Sequence, residues 1–165
     1  MIQKKICLAG ALAVGKTSIV SRFVRSMFPE RHLSTVGVKI DRKFIRVGDD
    51  DVGLIIWDLA GEDPFDHVRA QYLRGSAGFV FVADGTRPHT IETAIRLQQR
   101  TELEYGPVPF VLAANKCDLR DEWTLDMSAL TELTRRGWSG IACSALDGTG
   151  VDQVFRTLTQ RMLAR

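Results

Sequence analysis

At 165 residues the chain is sized for one domain around one core, read here as a single domain over 1–165. Hydrophobic residues make up 45% and charged residues 25%, ordinary for a globular protein, and a net charge of +2 is too small to make nucleic acid or an acidic membrane the main partner. The longest apolar runs, Gly78 to Ala83 and Pro109 to Ala114, are far too short to cross a bilayer, and Met1-Ile2-Gln3-Lys4-Lys5 has neither a signal peptide's apolar stretch nor a glycine at position 2.

Ile6 to Ala9 reads as a first strand. Gly10-Ala11-Leu12-Ala13-Val14-Gly15-Lys16-Thr17 follows at once and matches G-x-x-x-x-G-K-[ST], a phosphate-binding loop. By composition alone the four fixed positions would match in roughly one chain in a hundred of this length. The motif also stands in its required context, after a strand and opening a helix from Lys16 to Ser26 whose Ile19, Val20, Phe23 and Val24 share a face. Glycines let the backbone fold closely around an anion, and the amides of the loop and helix start point at it. Gly10, Ala13, Val14, Gly15, Lys16, Thr17 and Ser18 are therefore the expected phosphate-binding residues. Lys16 adds charge against the outer phosphates, and the Thr17 hydroxyl suits Mg²⁺, a hard cation that takes oxygen ligands.

Val38 to Val47 and Val52 to Trp57 read as a hairpin joined by Gly48-Asp49-Asp50-Asp51. Asp58, at the end of that second apolar strand, is placed to hold Mg²⁺ through a water, and Gly61 to bring an amide to a terminal phosphate. Further strands are expected at Phe79 to Ala83, Phe110 to Ala114 and Ile141 to Cys143. Helices are expected at Asp66 to Arg74, Thr90 to Tyr105, Ser128 to Arg136 and Val151 to Leu163. This alternation implies an α/β fold with a parallel sheet covered on both faces, and its ligands at the carboxyl ends of the strands.

Asn115-Lys116-Cys117-Asp118 falls at such an end. A carboxylate accepts two hydrogen bonds and guanine offers two adjacent donors, whereas adenine does not. Asp118 is therefore fitted to select guanine, and a buried unpaired carboxylate would penalise the wrong base. The stem of Lys116 can cover the base plane, and Ser144-Ala145-Leu146, after the last strand, offers backbone amides to the guanine carbonyl. The cysteines, Cys7, Cys117 and Cys143, each lie in or beside an apolar run without metal-ligand spacing, which suits buried reduced thiols and a cytoplasmic location.

Together these motifs resemble the Ras-like small GTPases over the whole chain. Trp57-Asp58-Leu59-Ala60-Gly61, Thr35-Val36-Gly37-Val38 and Tyr72-Leu73-Arg74-Gly75 look most like the Rab branch. The resemblance implies a phosphate-loop NTPase fold: a six-stranded, mainly parallel sheet with one antiparallel edge strand and helices on both faces. It also implies a GTP/GDP switch that hydrolyses GTP with Mg²⁺. Phe28 would pack on the guanine. Thr35 would join Thr17 and Asp58 at the metal. Segments 28–40 and 61–75 would meet effectors, exchange factors or activating proteins, ordered by the γ-phosphate. Lys16, Gly61 and the residue after it would serve hydrolysis. That residue is Glu62 where the family usually has Gln, which implies slow turnover. Leu12 stands where small or polar residues are common, and no lipid-bearing cysteine lies at the end of this chain. A GTP-binding scaffold with negligible hydrolysis is the alternative. A small-metabolite kinase leaves Asp118 without a use, and a domain cut from a longer GTPase stays open.

Overall fold

The computed structural model describes residues 1–26, 38–59 and 70–164. In chain order these form β1 (Ile2–Gly10), α1 (Lys16–Arg25), β2 (Val38–Val47), β3 (Asp50–Leu59), α2 (Ala70–Leu73), β4 (Gly78–Asp84), α3 (His89–Tyr105), β5 (Phe110–Asn115), α4 (Met127–Arg135), β6 (Gly140–Ala142) and α5 (Val151–Leu163). The sheet runs β2-β3-β1-β4-β5-β6. Among the described residues only β2 and β3 pair antiparallel, so the expected mainly parallel sheet with one antiparallel edge strand is what forms.

Alternation along each strand divides the apolar residues between two cores. Ile6 and Leu8 of β1 and Val80 and Val82 of β4 join Ile19 and Phe23 of α1 and Phe155 and Leu158 of α5. Cys7, Ala9, Phe79 and Phe81 face the other way, onto Ile91, Ala94 and Leu97 of α3 and onto Leu133 and Trp138. Both faces are thus covered, and all seven residues of β4 are buried, as a central parallel strand requires. Phe23 and Phe155 stack with ring centroids 3.9 Å apart, fixing α1 against α5. No helix among the described residues is long and apolar enough to cross a membrane.

Most elements lie within a residue or two of their expected bounds; β1 starts four residues earlier, and β3 extends two residues at each end, to Asp50 and Leu59. That extension shortens the expected four-residue hairpin turn to Gly48-Asp49, because Asp50 pairs directly with Val47. Gly48, at φ +60°, supplies the left-handed first position that a two-residue turn between twisted strands needs. Of the expected helix from Asp66 to Arg74, residues 66–69 lie outside the described residues; the rest is helical over Ala70–Leu73, and Arg74 falls in the turn that follows. Cys7 and Cys143 are buried, but Cys117 is only half-buried, because it sits in the exposed loop beyond β5 rather than under a helix.

Candidate nucleotide site

Gly10, Leu59, Asp84, Asn115 and Ala142 end five strands at one edge of the sheet, and every motif with chemical potential lies in the loops that leave it. Gly10 pairs with Val82, and a Cβ on it would lie 2.3 Å from the Val82 carbonyl oxygen, so the phosphate loop can leave β1 there only through glycine. Gly15 enters α1 at φ +99°. A Cβ there would meet Asn115 Nδ2 at 2.3 Å, so its smallness lets the base-side loop approach the phosphate-side loop. No acidic residue stands in the first turn of α1, which leaves the positive end of that helix to an external anion. The Lys16 side chain is folded back into the loop, its Nζ donating to the carbonyls of Gly10 at 3.1 Å and Ala11 at 3.2 Å.

Asp58 arrives from β3 beside the start of α1, and the Thr17 hydroxyl donates to its Oδ2 at 2.6 Å. The other oxygen, Oδ1, is buried and has no hydrogen-bond partner among the described residues. Burial pushes the Asp58 carboxyl above the ordinary carboxylate range, against the Thr17 hydrogen bond and the charge of Lys16. An orphaned buried carboxylate oxygen next to a hydroxyl is an arrangement that a hard cation satisfies, so Thr17 and Asp58 fit Mg²⁺.

Asn115 joins the two halves of the site. Its Nδ2 donates to the Val14 carbonyl at 3.0 Å, and its Oδ1 accepts from the Ala145 amide at 3.1 Å. Lys116, held at φ +74°, reaches the Ala13 carbonyl at 3.1 Å. The Ser144 hydroxyl donates to Asp118 Oδ1 at 2.7 Å, orienting the carboxylate expected to read the base. Of the three amides expected to meet the guanine carbonyl, that of Ser144 is donated to Thr149 and that of Ala145 to Asn115. Arg22 of α1 braces this loop from below, donating to the carbonyls of Ala145, at 2.9 Å, and Leu146. Leu146 itself is exposed.

Three residues that sequence reasoning passed over belong to the site. Asp84 ends β4 with its side chain 1% exposed, bound by Thr86, Arg87 and Lys116. Burial alone would raise its carboxyl, but the hydrogen bonds from Lys116, Thr86 and Arg87 outweigh it and hold the group at about 2. The rule that singled out Asp58, an acid closing an apolar strand at the carboxyl edge, applies to Asp84 as well. Arg87, which continues to the Leu12 carbonyl at 3.0 Å, and Arg22 belong to no motif. Phe28, Thr35, Gly61 and Glu62 lie outside the described residues. Leu12 is 58% exposed at the crest of the phosphate loop.

The sheet order, the phosphate loop between β1 and α1 and the Asn-Lys-x-Asp segment after β5 define a phosphate-loop nucleotide-binding domain. A Ras family model matches residues 5–164. The chain is 32% identical over 168 residues to Ras-related protein Rab-32 of Mus musculus, a match covering 97% of this chain and 75% of the relative. It is 35% identical over 162 residues to Ras-related protein RABA5b of Arabidopsis thaliana, covering 96% and 74%. With Ras-related protein Rab-31 of Rattus norvegicus the identity is 30% over 161 residues, covering 96% and 82%. The chain belongs to the Ras family of small GTPases, on the Rab branch. Its general character is accordingly that of a GTP-binding switch with GTPase activity, in a family that binds GTP and GDP and generally uses Mg²⁺.

Proposed function

We propose that residues 1–165 form one guanine-nucleotide-binding domain that acts as a cytoplasmic switch and hydrolyses GTP slowly. Two observations support the slow rate: in the sequence Glu62 follows Gly61, and in the phosphate loop Leu12 is 58% exposed. An ionised Glu can only accept hydrogen bonds, whereas Gln both accepts and donates while it orients the attacking water. A carboxylate also adds negative charge beside the phosphates. The branched Leu12 side chain fills space that a partner's arginine would use.

Asp118 selects guanine in this reading, with Asn115, Lys116 and the Ser144–Leu146 loop around the base and Phe28 against it. Gly10, Ala13 to Ser18 and Gly61 surround the phosphates. Thr17, Thr35 and Asp58 would hold Mg²⁺, which when bound neutralises charge on the outer phosphates. The unsatisfied Asp58 oxygen beside Thr17 supports that assignment. In this reading Phe28 to Gly37 and Gly61 to Gln71 change order with the γ-phosphate, and segments 28–40 and 61–75 present the partner surface.

Single-turnover GTP hydrolysis by the parent, Glu62→Gln, Leu12→Gly and the double variant tests this reading. Faster turnover in Glu62→Gln is expected. A marked slowing in Glu62→Gln at unchanged nucleotide affinity would make Glu62 itself the catalytic group and refute it. Bound GTP that persists for days in every protein would establish the scaffold instead.

A further inference from the structure

Two cations converge on one buried carboxylate behind the phosphate loop, and each continues to that loop's backbone. Asp84 Oδ1 accepts from the Thr86 amide at 2.8 Å and the Thr86 hydroxyl at 2.6 Å. Asp84 Oδ2 accepts from Arg87 Nε at 3.0 Å and pairs with Lys116 Nζ at 2.8 Å. From there Arg87 Nη2 reaches the Leu12 carbonyl at 3.0 Å, and Lys116 Nζ reaches the adjacent Ala13 carbonyl at 3.1 Å. All four oxygen sites used on Asp84 are thus filled, and two consecutive carbonyls of the phosphate loop are held through it.

The backbone at both ends of this cluster is in a conformation that needs support. Ala13 sits at φ +61° and Lys116 at φ +74°, the left-handed region that side chains rarely adopt without compensating contacts. The segment carrying Arg87 is itself held from the base side. The Trp123 ring lies so close over Gly85 that a Cβ there would be 2.0 Å from it, and Thr124 donates its amide to the Gly85 carbonyl at 2.9 Å.

We propose that Arg87 is a positioning residue for the nucleotide: through Asp84 and the Leu12 carbonyl it clamps the crest of the phosphate loop to Lys116, whose stem covers the base plane. It thereby sets how long a guanine nucleotide stays bound. The inference rests on the guanine-nucleotide reading above. A guanidinium suits the task because its rigid fork serves a carboxylate through Nε and a carbonyl through Nη2 at once, whereas an ammonium is a single point charge. Arg87 meets the loop at a carbonyl oxygen, which repels an anion and does not bind one, so it acts through the loop and not on the reacting atoms.

The test preloads the protein with a fluorescent guanosine diphosphate and follows its release into excess unlabelled GDP. Arg87→Ala should accelerate release about tenfold, as expected for loss of a charge-assisted hydrogen bond that the bound state needs. Arg87→Lys, which keeps the charge beside Asp84 but not the fork, should fall between, at about threefold. Arg161 also anchors a main-chain carbonyl, that of Phe110 at 2.9 Å, at the opposite edge of the sheet. Arg161→Ala should release nucleotide at the parent rate. Release from Arg87→Ala at the parent rate, while Asp118→Asn releases faster, would overturn the proposal and leave the guanine reading standing. So would equal acceleration by Arg161→Ala, or an Arg87→Lys protein as fast as Arg87→Ala. A parent protein without guanine preference would refute the nucleotide reading itself, before any arginine is changed.

Discussion

Replacing Asn115 with alanine should loosen the joint between the phosphate loop and the base loop more than any exposed change of similar size. Asn115 is 2% exposed and makes two hydrogen bonds across the site, to the Val14 carbonyl and from the Ala145 amide. Deleting the side chain leaves the Val14 carbonyl and the Ala145 amide buried without this partner, at a cost of about 1–3 kcal/mol each. Water entering the space vacated by the amide offsets part of that cost, so the expected loss is about 3 kcal/mol, well within a stability of roughly 5–15 kcal/mol. For a domain of this size that corresponds to a fall of roughly 6–12 °C in melting temperature. Thermal unfolding of the nucleotide-free protein reads it directly. Asn115→Asp sharpens the comparison, because it keeps an acceptor for the Ala145 amide but sets a carboxylate oxygen against the Val14 carbonyl. It should melt no higher than the alanine variant. Alanine and aspartate variants that both melt within about 2 °C of the parent would refute the bridging role.

Thr17→Asn should abolish most of the gain in GTP affinity that Mg²⁺ confers on the parent; binding titrations with and without Mg²⁺ check this, and an undiminished gain would remove Thr17 from the metal. Asp84→Asn should destabilise the protein at neutral pH. Because the folded Asp84 carboxyl lies near 2, below its ordinary value near 4, the stability it contributes is complete above pH 4 and lost as pH falls through 2. Denaturation midpoints of the two proteins should therefore converge between pH 4 and pH 2, and a constant gap across that window contradicts the assignment. Burial pushes the Cys7 thiol up to about 11 and the Cys143 thiol up to about 12. Iodoacetamide at pH 8 should accordingly modify half-buried Cys117 well before either, as peptide mass analysis of a time course will show.

The strands were legible because each is a short apolar run bounded by turn residues, and the helices because their apolar residues recur at helical spacing. The phosphate loop was legible because its chemistry dictates residue types at fixed offsets within eight consecutive residues. Long-range side-chain contacts carry no such local signature. Arg87 meets Leu12 only because β4 lies beside β1, and Arg22 meets Ala145 only because α1 passes under the last loop. Asp84 was within reach of the reasoning applied to Asp58, but nothing beside it in sequence announces Lys116 as its partner. The hairpin turn was misread by two residues because Asp50 and Asp51 have turn composition, yet the antiparallel ladder with Val47 and Arg46 continues through both.

The most direct test of the account is competition for the nucleotide site by purine nucleotides differing only in the base. Labelled GDP on the parent should be displaced by unlabelled GDP and not by ADP at the same concentration. On Asp118→Asn, xanthosine diphosphate should displace better than GDP, because its base presents a carbonyl where guanine presents a donor. ADP displacing the label from the parent as readily as GDP does would contradict the claim that this fold, through Asp118, holds a guanine nucleotide.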